Sequence, residues 1–288
     1  MAKCIECNLC DHPGTFQNAR DIAHVPCNVR RFKGDVFTLW RCTGCGSIHC
    51  AEDADLSKYY ARYPLKHHKL TYYERVAYKN RLRLLERHGF RRSMELLDFG
   101  CGVGLFVDFL RKSGLTRVFG YDEFVERYKQ APRLSEYFDA VVSYDAIERA
   151  DDPRAFMKTA AKRVRQGGLL AIGTPRADGL SLSNIGDPAL HQPYHRHILS
   201  EAMLVALGRE QGSEPVHISR RSPSDSLVPF VNSRFSCRYI QATGGFCDAV
   251  VEAPRPGLLL RSPSLALLAF FGYFVQRQDH MVVLFKKT

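Results

Sequence analysis

The sequence predicts an α/β protein with a doubly wound, mostly parallel sheet, preceded by a small cysteine-rich module. Three observations predict it. A short apolar strand runs into a loop with glycine at every second position, which in turn opens a helix (Glu95-Leu-Leu-Asp98-Phe-Gly100-Cys-Gly102-Val-Gly104-Leu-Phe106). From Met94 onward, short apolar segments alternate with helical ones, and such alternation buries both faces of a parallel sheet. Seven of the ten cysteines fall within the first 50 residues.

The elements follow in order. Residues 1–53 form the cysteine module, and 54–93 a basic, tyrosine-rich segment read as mostly helix because Tyr73, Val76, Ala77 and Leu84 recur at helical spacing. Gly89 marks its end. The third unit, 94–288, begins with a buried strand over 94–99 and a helix over 105–112 closed by Gly114. Strands over 117–121 and 138–144 follow, then a helix over 153–165 stopped by Gly167-Gly168, and a strand over 169–173. Ser200 caps a helix over 200–210, and 216–219 and 280–286 read as the last strands. Between them, about 220–278 departs from the alternation, with five prolines and the apolar run Leu265–Val275.

At 288 residues and 45% hydrophobic content, the chain can bury a substantial core. The polar N-terminus carries no export signal, and the longest apolar run is too short to cross a bilayer, so a cytoplasmic protein without a transmembrane segment is expected. In a reducing compartment, clustered C-x2-C spacings favour metal over disulfides. The net charge is +11, and residues 55–92 alone carry eleven Lys or Arg against three acids. Such a stripe suits an anionic partner, or is a solvated helix face.

The glycine loop carries the chemistry. Glycine there lets the backbone take positive φ and approach a ligand closely, at the carboxyl ends of the strands where open α/β sheets bind. A dinucleotide site wants G-x-G-x-x-G. The spacing here is G-x-G-x-G, with Asp98 two residues ahead, and an acid at that point suits a cationic amino-acid ligand better than a diphosphate. This segment resembles motif I of the class I (Rossmann-like) S-adenosylmethionine-dependent methyltransferases. Phe138-Asp-Ala-Val-Val-Ser-Tyr-Asp145-Ala-Ile-Glu148-Arg149 is similar to the fourth strand and following loop of the ubiquinone O-methyltransferase-like small-molecule enzymes, and Gly167–Pro175 to their fifth strand. The resemblance covers about residues 75–212. It implies that S-adenosylmethionine is bound by Asp98, Gly100, Gly102, Gly104 and Phe106, with Asp122 accepting from ribose hydroxyls. Two departures stand out. Arg149 occupies a position where the family usually has histidine, and only fifteen residues separate Asp122 from Phe138, so the family's third strand is shortened or missing.

Cys7-Asn-Leu-Cys10 and Cys42-Thr-Gly-Cys45 form two knuckles 31 residues apart, a pattern that resembles a zinc ribbon. Four thiolates suit tetrahedral Zn2+, and a site closed by four protein ligands is structural. Cys4 offers an alternative partner for Cys7, while Cys27, His49 and Cys50 are left over.

Methyl transfer needs an aligned acceptor and, for a hydroxyl, a base. The loop after the 169–173 strand carries His191, His195 and His197, three of the chain's eleven histidines. His191 and His195 are the candidate catalytic bases, with Asp145 and Glu148 as second choices and His197 assigned to the helix cap. An imidazole titrating near neutrality predicts activity that rises through that pKa. Tyr59, Tyr60, Tyr63, Tyr72 and Tyr73 precede the first strand of the third unit, where a lid closes over the cofactor. The expected reaction is methylation of a small molecule, glycan or lipid, at oxygen. A ribosomal RNA methyltransferase, its zinc module recognising substrate, is the alternative, with nucleic acid as the less favoured partner.

Overall fold

A computed structural model describes residues 4–11, 14–64, 69–129 and 137–288. Among the described residues, ten strands form two sheets. The smaller has the order β1 (Ile22–Pro26), β2 (Val36–Arg41), β3 (Ile48–Cys50), β8 (His197–Ile198) and is antiparallel throughout. The larger has the order β5 (Val118–Tyr121), β4 (Leu96–Phe99), β6 (Phe138–Tyr144), β7 (Val164–Pro175), β10 (His280–Lys287), β9 (Ser213–Ser219). Strands β5, β4, β6 and β7 are mutually parallel, and β10 runs antiparallel to both β7 and β9. This is the doubly wound, mostly parallel sheet that the alternation predicts. Among the described residues no strand lies between β5 and β6, in keeping with the short spacing there; residues 130–136 are outside the described set.

The helices are α1 (Leu56–Tyr60), α2 (Tyr72–Arg87), α3 (Leu105–Lys112), α4 (Glu126–Lys129), α5 (Pro153–Lys162), α6 (Glu201–Glu210), α7 (Ser233–Ala242), α8 (Gly257–Arg261) and α9 (Pro263–Phe271). Their ends follow local chemistry. Thr71 and Glu74 form a capping box at the start of α2. Asp152 caps α5 with Pro153 in its first turn, and the Ser200 hydroxyl accepts from the Met203 amide at the start of α6.

One boundary is corrected. Gly167-Gly168 does not stop a helix. Helix α5 ends at Lys162 and β7 already begins at Val164. Gly167 lies inside that strand at φ 71°, where the pairing with β6 shifts register between Phe138 and Ala140. A Cβ on Gly168 would stand 2.9 Å from the Asp139 carbonyl oxygen, so the glycines serve a bulge pressed against the neighbouring strand.

Packing ties the two sheets together. Leu9, at the tip of the first cysteine knuckle, is fully buried in the same core as Ile147, Met157, Leu199 and Phe285. The Arg154 guanidinium donates to the Leu9 carbonyl at 2.6 and 3.0 Å. Between β9 and β10, α7–α9 leave Leu260, Leu267, Phe270, Phe271 and Phe274 exposed.

Phe285 is wholly buried on β10 and so close to α6 that a Cβ on Gly208 would lie 2.2 Å from its ring. A site that tight collapses poorly. Phe285→Ala is expected to cost about 3–5 kcal/mol of folding free energy in urea denaturation, and a loss under 1 kcal/mol would contradict this packing.

Candidate cofactor and acceptor site

The glycine loop leaves β4 and enters α3. Gly100, Gly102 and Gly104 have φ of 81°, 54° and 84°, a region that favours glycine. Two of them are also pressed from behind: a Cβ on Gly100 would meet Ala146 at 2.7 Å, and one on Gly104 the Tyr128 hydroxyl at 2.1 Å. A Cβ on Gly102 would face open space. The middle of the loop is therefore backbone turned toward a vacant side, the form a ligand cradle takes. The Asp122 carboxylate accepts the Gly102 amide at 2.8 Å and the Phe124 amide at 3.0 Å, tying the end of β5 to the loop. Asp98 is buried at the end of β4. Burial pushes its carboxyl up to about 7; the Arg81 guanidinium pulls the other way, and the nearby Asp122 carboxylate raises it further. Two carboxylates beside an open glycine backbone fit a cationic ligand. Phe106 lies in the core beneath the loop, packed on Tyr78, Phe109 and Tyr144.

A second polar group gathers at the C-terminal ends of β6 and β7. Asp145 stands at φ 55° and pairs with Arg81 of α2 at 3.2 Å and with His280 of β10 at 3.5 Å. Burial opposes its ionisation, but His280 and Arg81 outweigh it and hold the carboxyl below the usual range. Arg81 lies 3.9 Å from the Tyr144 ring centroid, with Tyr78 and Phe106 beside it. Glu148 is fully buried, accepts the Thr174 hydroxyl at 2.9 Å, and pairs with Arg149 at 3.3 Å. Burial raises its pKa.

His195 sits over Glu148. Its Nδ1 donates to the Ala189 carbonyl at 2.8 Å, which leaves Nε2 as the lone-pair nitrogen, 3.8 Å from the Glu148 carboxylate. His191 is held between the Tyr63 hydroxyl at 3.0 Å and the Asn28 side-chain oxygen at 2.5 Å. Burial depresses both histidines, His195 to about 3 and His191 well below its ordinary value. The expected rise of activity through a histidine pKa near neutrality is thereby corrected, since these rings stay neutral across that range. His197 is not at the helix cap; it lies on β8, its ring 2.9 Å from that of His49.

The sequence placed Tyr60 and Tyr63 among the tyrosines of a lid over the cofactor and gave Arg149 no role in this group. The Arg149 guanidinium reaches the Tyr60 hydroxyl at 3.4 Å and lies 5.7 Å from the Tyr63 ring. Tyr60 also stacks on exposed Phe124, next to Asp122, so these tyrosines bridge the two halves of the site. The signal was Arg149 itself, an arginine in the family's histidine position. The other tyrosines lie apart: Tyr59 donates to Asp35, Tyr73 accepts from Ser236, and Tyr72 is exposed. The basic stripe is partly consumed, with Arg81 turned inward, Lys58 on Asp35 and Arg92 on Glu86.

The four knuckle thiols converge. Cys7 and Cys45 are 3.8 Å apart, Cys7 and Cys10 3.6 Å, Cys10 and Cys42 3.8 Å. Sulfurs around tetrahedral zinc, with bonds of ~2.3 Å, stand about 3.8 Å apart. Gly14 is required beside them, for a Cβ there would strike Cys42 Sγ at 2.2 Å. Cys4 is not in this set, and Cys27 and Cys50 are buried elsewhere in the module.

Residues 68–218, just over half of the chain, match the family described as methyltransferase domain. The chain belongs to this family. A curated relative is the malonyl-[acyl-carrier protein] O-methyltransferase of Porphyromonas gingivalis, 25% identical over 191 residues, spanning 59% of this chain and 70% of the relative. Similar solved structures include an S-adenosylmethionine-dependent methyltransferase from Archaeoglobus fulgidus (16% identity, TM-score 0.47, 80% of this chain and 100% of that one). Another is the magnesium protoporphyrin IX methyltransferase of Synechocystis (13% identity, TM-score 0.45, 81% and 95%). The protein is an S-adenosylmethionine-dependent methyltransferase. Among the described residues no helix is long and apolar enough to cross a membrane.

In this methyltransferase Asp98 is a buried acid whose folded-state pKa is raised. Its contribution to stability is therefore complete below pH 3.8 and lost as pH rises through about 7. Asp98→Asn is expected to be more stable than the parent at pH 8, by on the order of 2–4 kcal/mol, and not at pH 4. Equal stability of the two proteins at pH 8 would show that the burial carries no such cost.

Proposed function

We propose that this methyltransferase methylates an oxygen of a small-molecule, glycan or lipid acceptor, with His195 as the base that removes the acceptor proton. The observation that carries this reading is the His195 ring. Its Nδ1 is committed to the Ala189 carbonyl, so Nε2 presents a lone pair beside buried Glu148, at the strand ends that also bear the glycine loop. A base needs a fixed orientation and an available lone pair, and this ring has both, while burial and the Arg149 charge weaken its affinity for the proton. An oxygen acceptor is also in keeping with the O-methyltransferase from Porphyromonas gingivalis to which the chain is similar.

The cofactor would rest on Gly100, Gly102 and Gly104, with Asp98 and Asp122 as the carboxylates facing its positive charge and its ribose. When bound, it would supply an electrophilic methyl group for the acceptor oxygen, with the electron pair of the cleaved carbon–sulfur bond left on sulfur. His195 receives the acceptor proton on Nε2, and the raised pKa of Glu148 leaves it suited to hold or pass on a proton beside it. The Arg149 guanidinium offers a charge to orient an oxygen-rich acceptor, and Tyr60 and Tyr63 exclude water from that side. His191, fixed through Asn28 and Tyr63, serves as a positioning residue for the wall. Asp145 is already paired with Arg81 and His280, which leaves it less free to act as a base. The four knuckle cysteines would hold one structural zinc.

Gly102→Val fills the open side of the cradle and strains a backbone at φ 54°. Calorimetry with S-adenosylmethionine should show at least a tenfold loss of affinity, and unchanged affinity in the folded variant would remove the loop from the cofactor site.

His195→Gln is expected to keep cofactor affinity while turnover falls roughly 10²–10⁴-fold, the range for loss of a general base. His191→Gln should fall less. Parent-like turnover of His195→Gln on the true acceptor would move the base elsewhere, with Glu148 next.

A further inference from the structure

Three residues outside the four knuckle thiols and the acceptor site meet where the two sheets join; one of them, His49, also lies against Cys45 of the second knuckle. His49 of β3 and His197 of β8 are paired across the antiparallel ladder, both buried, with their Nδ1 atoms 2.9 Å apart. The Cys4 Sγ and one ring nitrogen of each histidine all lie within 4.8 Å of one another. We propose that Cys4, His49 and His197 form a second zinc site, separate from the four-cysteine knuckles, that clips the N-terminal module to the loop bearing His191 and His195.

The close approach of the pair leaves two bridges to choose between. Two imidazole nitrogens this close are held together only by a proton or a metal between them, because their lone pairs otherwise repel. A proton would satisfy that one contact and no more. It would give the convergent Cys4 thiol no role. A metal uses all three donors. Tetrahedral zinc, with Zn–N bonds of ~2.0–2.1 Å, separates its two nitrogens by about 3.3 Å, a few tenths more than the distance seen here. Two imidazoles and one thiolate are ligands zinc accepts, with a fourth position left for water.

The scaffold holds these donors in place. The Cys4 amide donates to the Ala51 carbonyl at 2.9 Å, and the Trp40 indole donates to the Cys4 carbonyl at 2.9 Å, so both backbone groups of Cys4 are fixed. Trp40, itself wholly buried, also lies against the His49 ring at 4.8 Å. The Cys4 thiol otherwise has only a long contact to the Glu6 carbonyl, 3.7 Å, which a thiolate has no proton to make.

The consequence is mechanical. β8 is two residues long, and His197 lies two positions from His195 in sequence. A metal bond across β3 and β8 would pin that loop much more firmly than the short ladder alone.

The test is metal content of the full chain, purified with zinc and dialysed against a weak chelator, read by mass spectrometry. The parent is expected to hold two zinc equivalents. Cys4→Ser and His197→Gln should each hold one, while Cys42→Ser should lose the other. Cobalt substitution supplies an independent reading: Cys4→Ser should keep the intense thiolate-to-cobalt absorption of the four-cysteine site and lose only a weaker component. Cys4→Ser, at a half-exposed position, also covers the case in which His197→Gln does not fold. A parent holding one equivalent that Cys4→Ser retains would overturn the proposal, as would Cys4→Ser and His197→Gln both retaining two.

Discussion

The pairing of β3 with β8 decides how the rest of this molecule is arranged. Only two register pairs, Ile48 with Ile198 and His49 with His197, join a strand of the cysteine module to the loop that follows β7. Around them the junction is reinforced. The Cys50 amide donates to the Arg196 carbonyl, and the Ser200 amide donates to the Ser47 hydroxyl, so the residue that caps α6 is also held by the second knuckle. Leu9 plugs the first knuckle into the main core. Because of this docking, Tyr60 and Tyr63 reach Arg149 and His191, so the proposed acceptor wall draws on separate segments of the chain.

A buried polar cluster costs free energy unless its members satisfy one another. Here the satisfaction is specific. Thr174 serves Glu148, Ala189 serves His195, and Asn28 and Tyr63 serve His191, while Arg81 and His280 pair with Asp145 at the exposed rim. Residual costs fall on Asp98, whose carboxyl is pushed toward neutrality, on Glu148, whose pKa is raised, and on Arg81 Nε, His280 Nδ1 and the Tyr144 hydroxyl, which are buried without hydrogen-bond partners. The two carboxyls lie at the carboxyl ends of the parallel strands, where a bound cation and an acceptor would offset their cost. Such unrelieved groups tend to mark working sites.

Arg81 shows how one side chain serves packing and charge together. Its aliphatic stem and guanidinium fill the space among Tyr78, Phe106 and Tyr144, and its tip pairs with Asp145. A basic residue that belongs to a surface stripe by sequence is therefore an interior element by structure. The stripe loses part of its charge this way, and what remains exposed is a weaker electrostatic footprint than the +8 segment suggests.

The local pattern of the chain determined the elements and the loop. The alternation from Met94 onward, the capping residues Asp152 and Ser200, and the glycine spacing after Asp98 each act within a few residues, so the order of strands and helices and the cradle were legible without a structure. The C-x2-C spacings likewise marked the four thiols that converge. Contacts between distant segments were not legible. His49 with His197, Tyr63 with His191, Leu9 in the main core and Arg149 beside Tyr60 join residues far apart in sequence, and no periodicity encodes such meetings. Nor could sequence foresee that burial would neutralise His191 and His195, because a pKa is set by what surrounds the ring. Tertiary packing alone decided that histidines, tyrosines and an arginine from three segments would enclose one site.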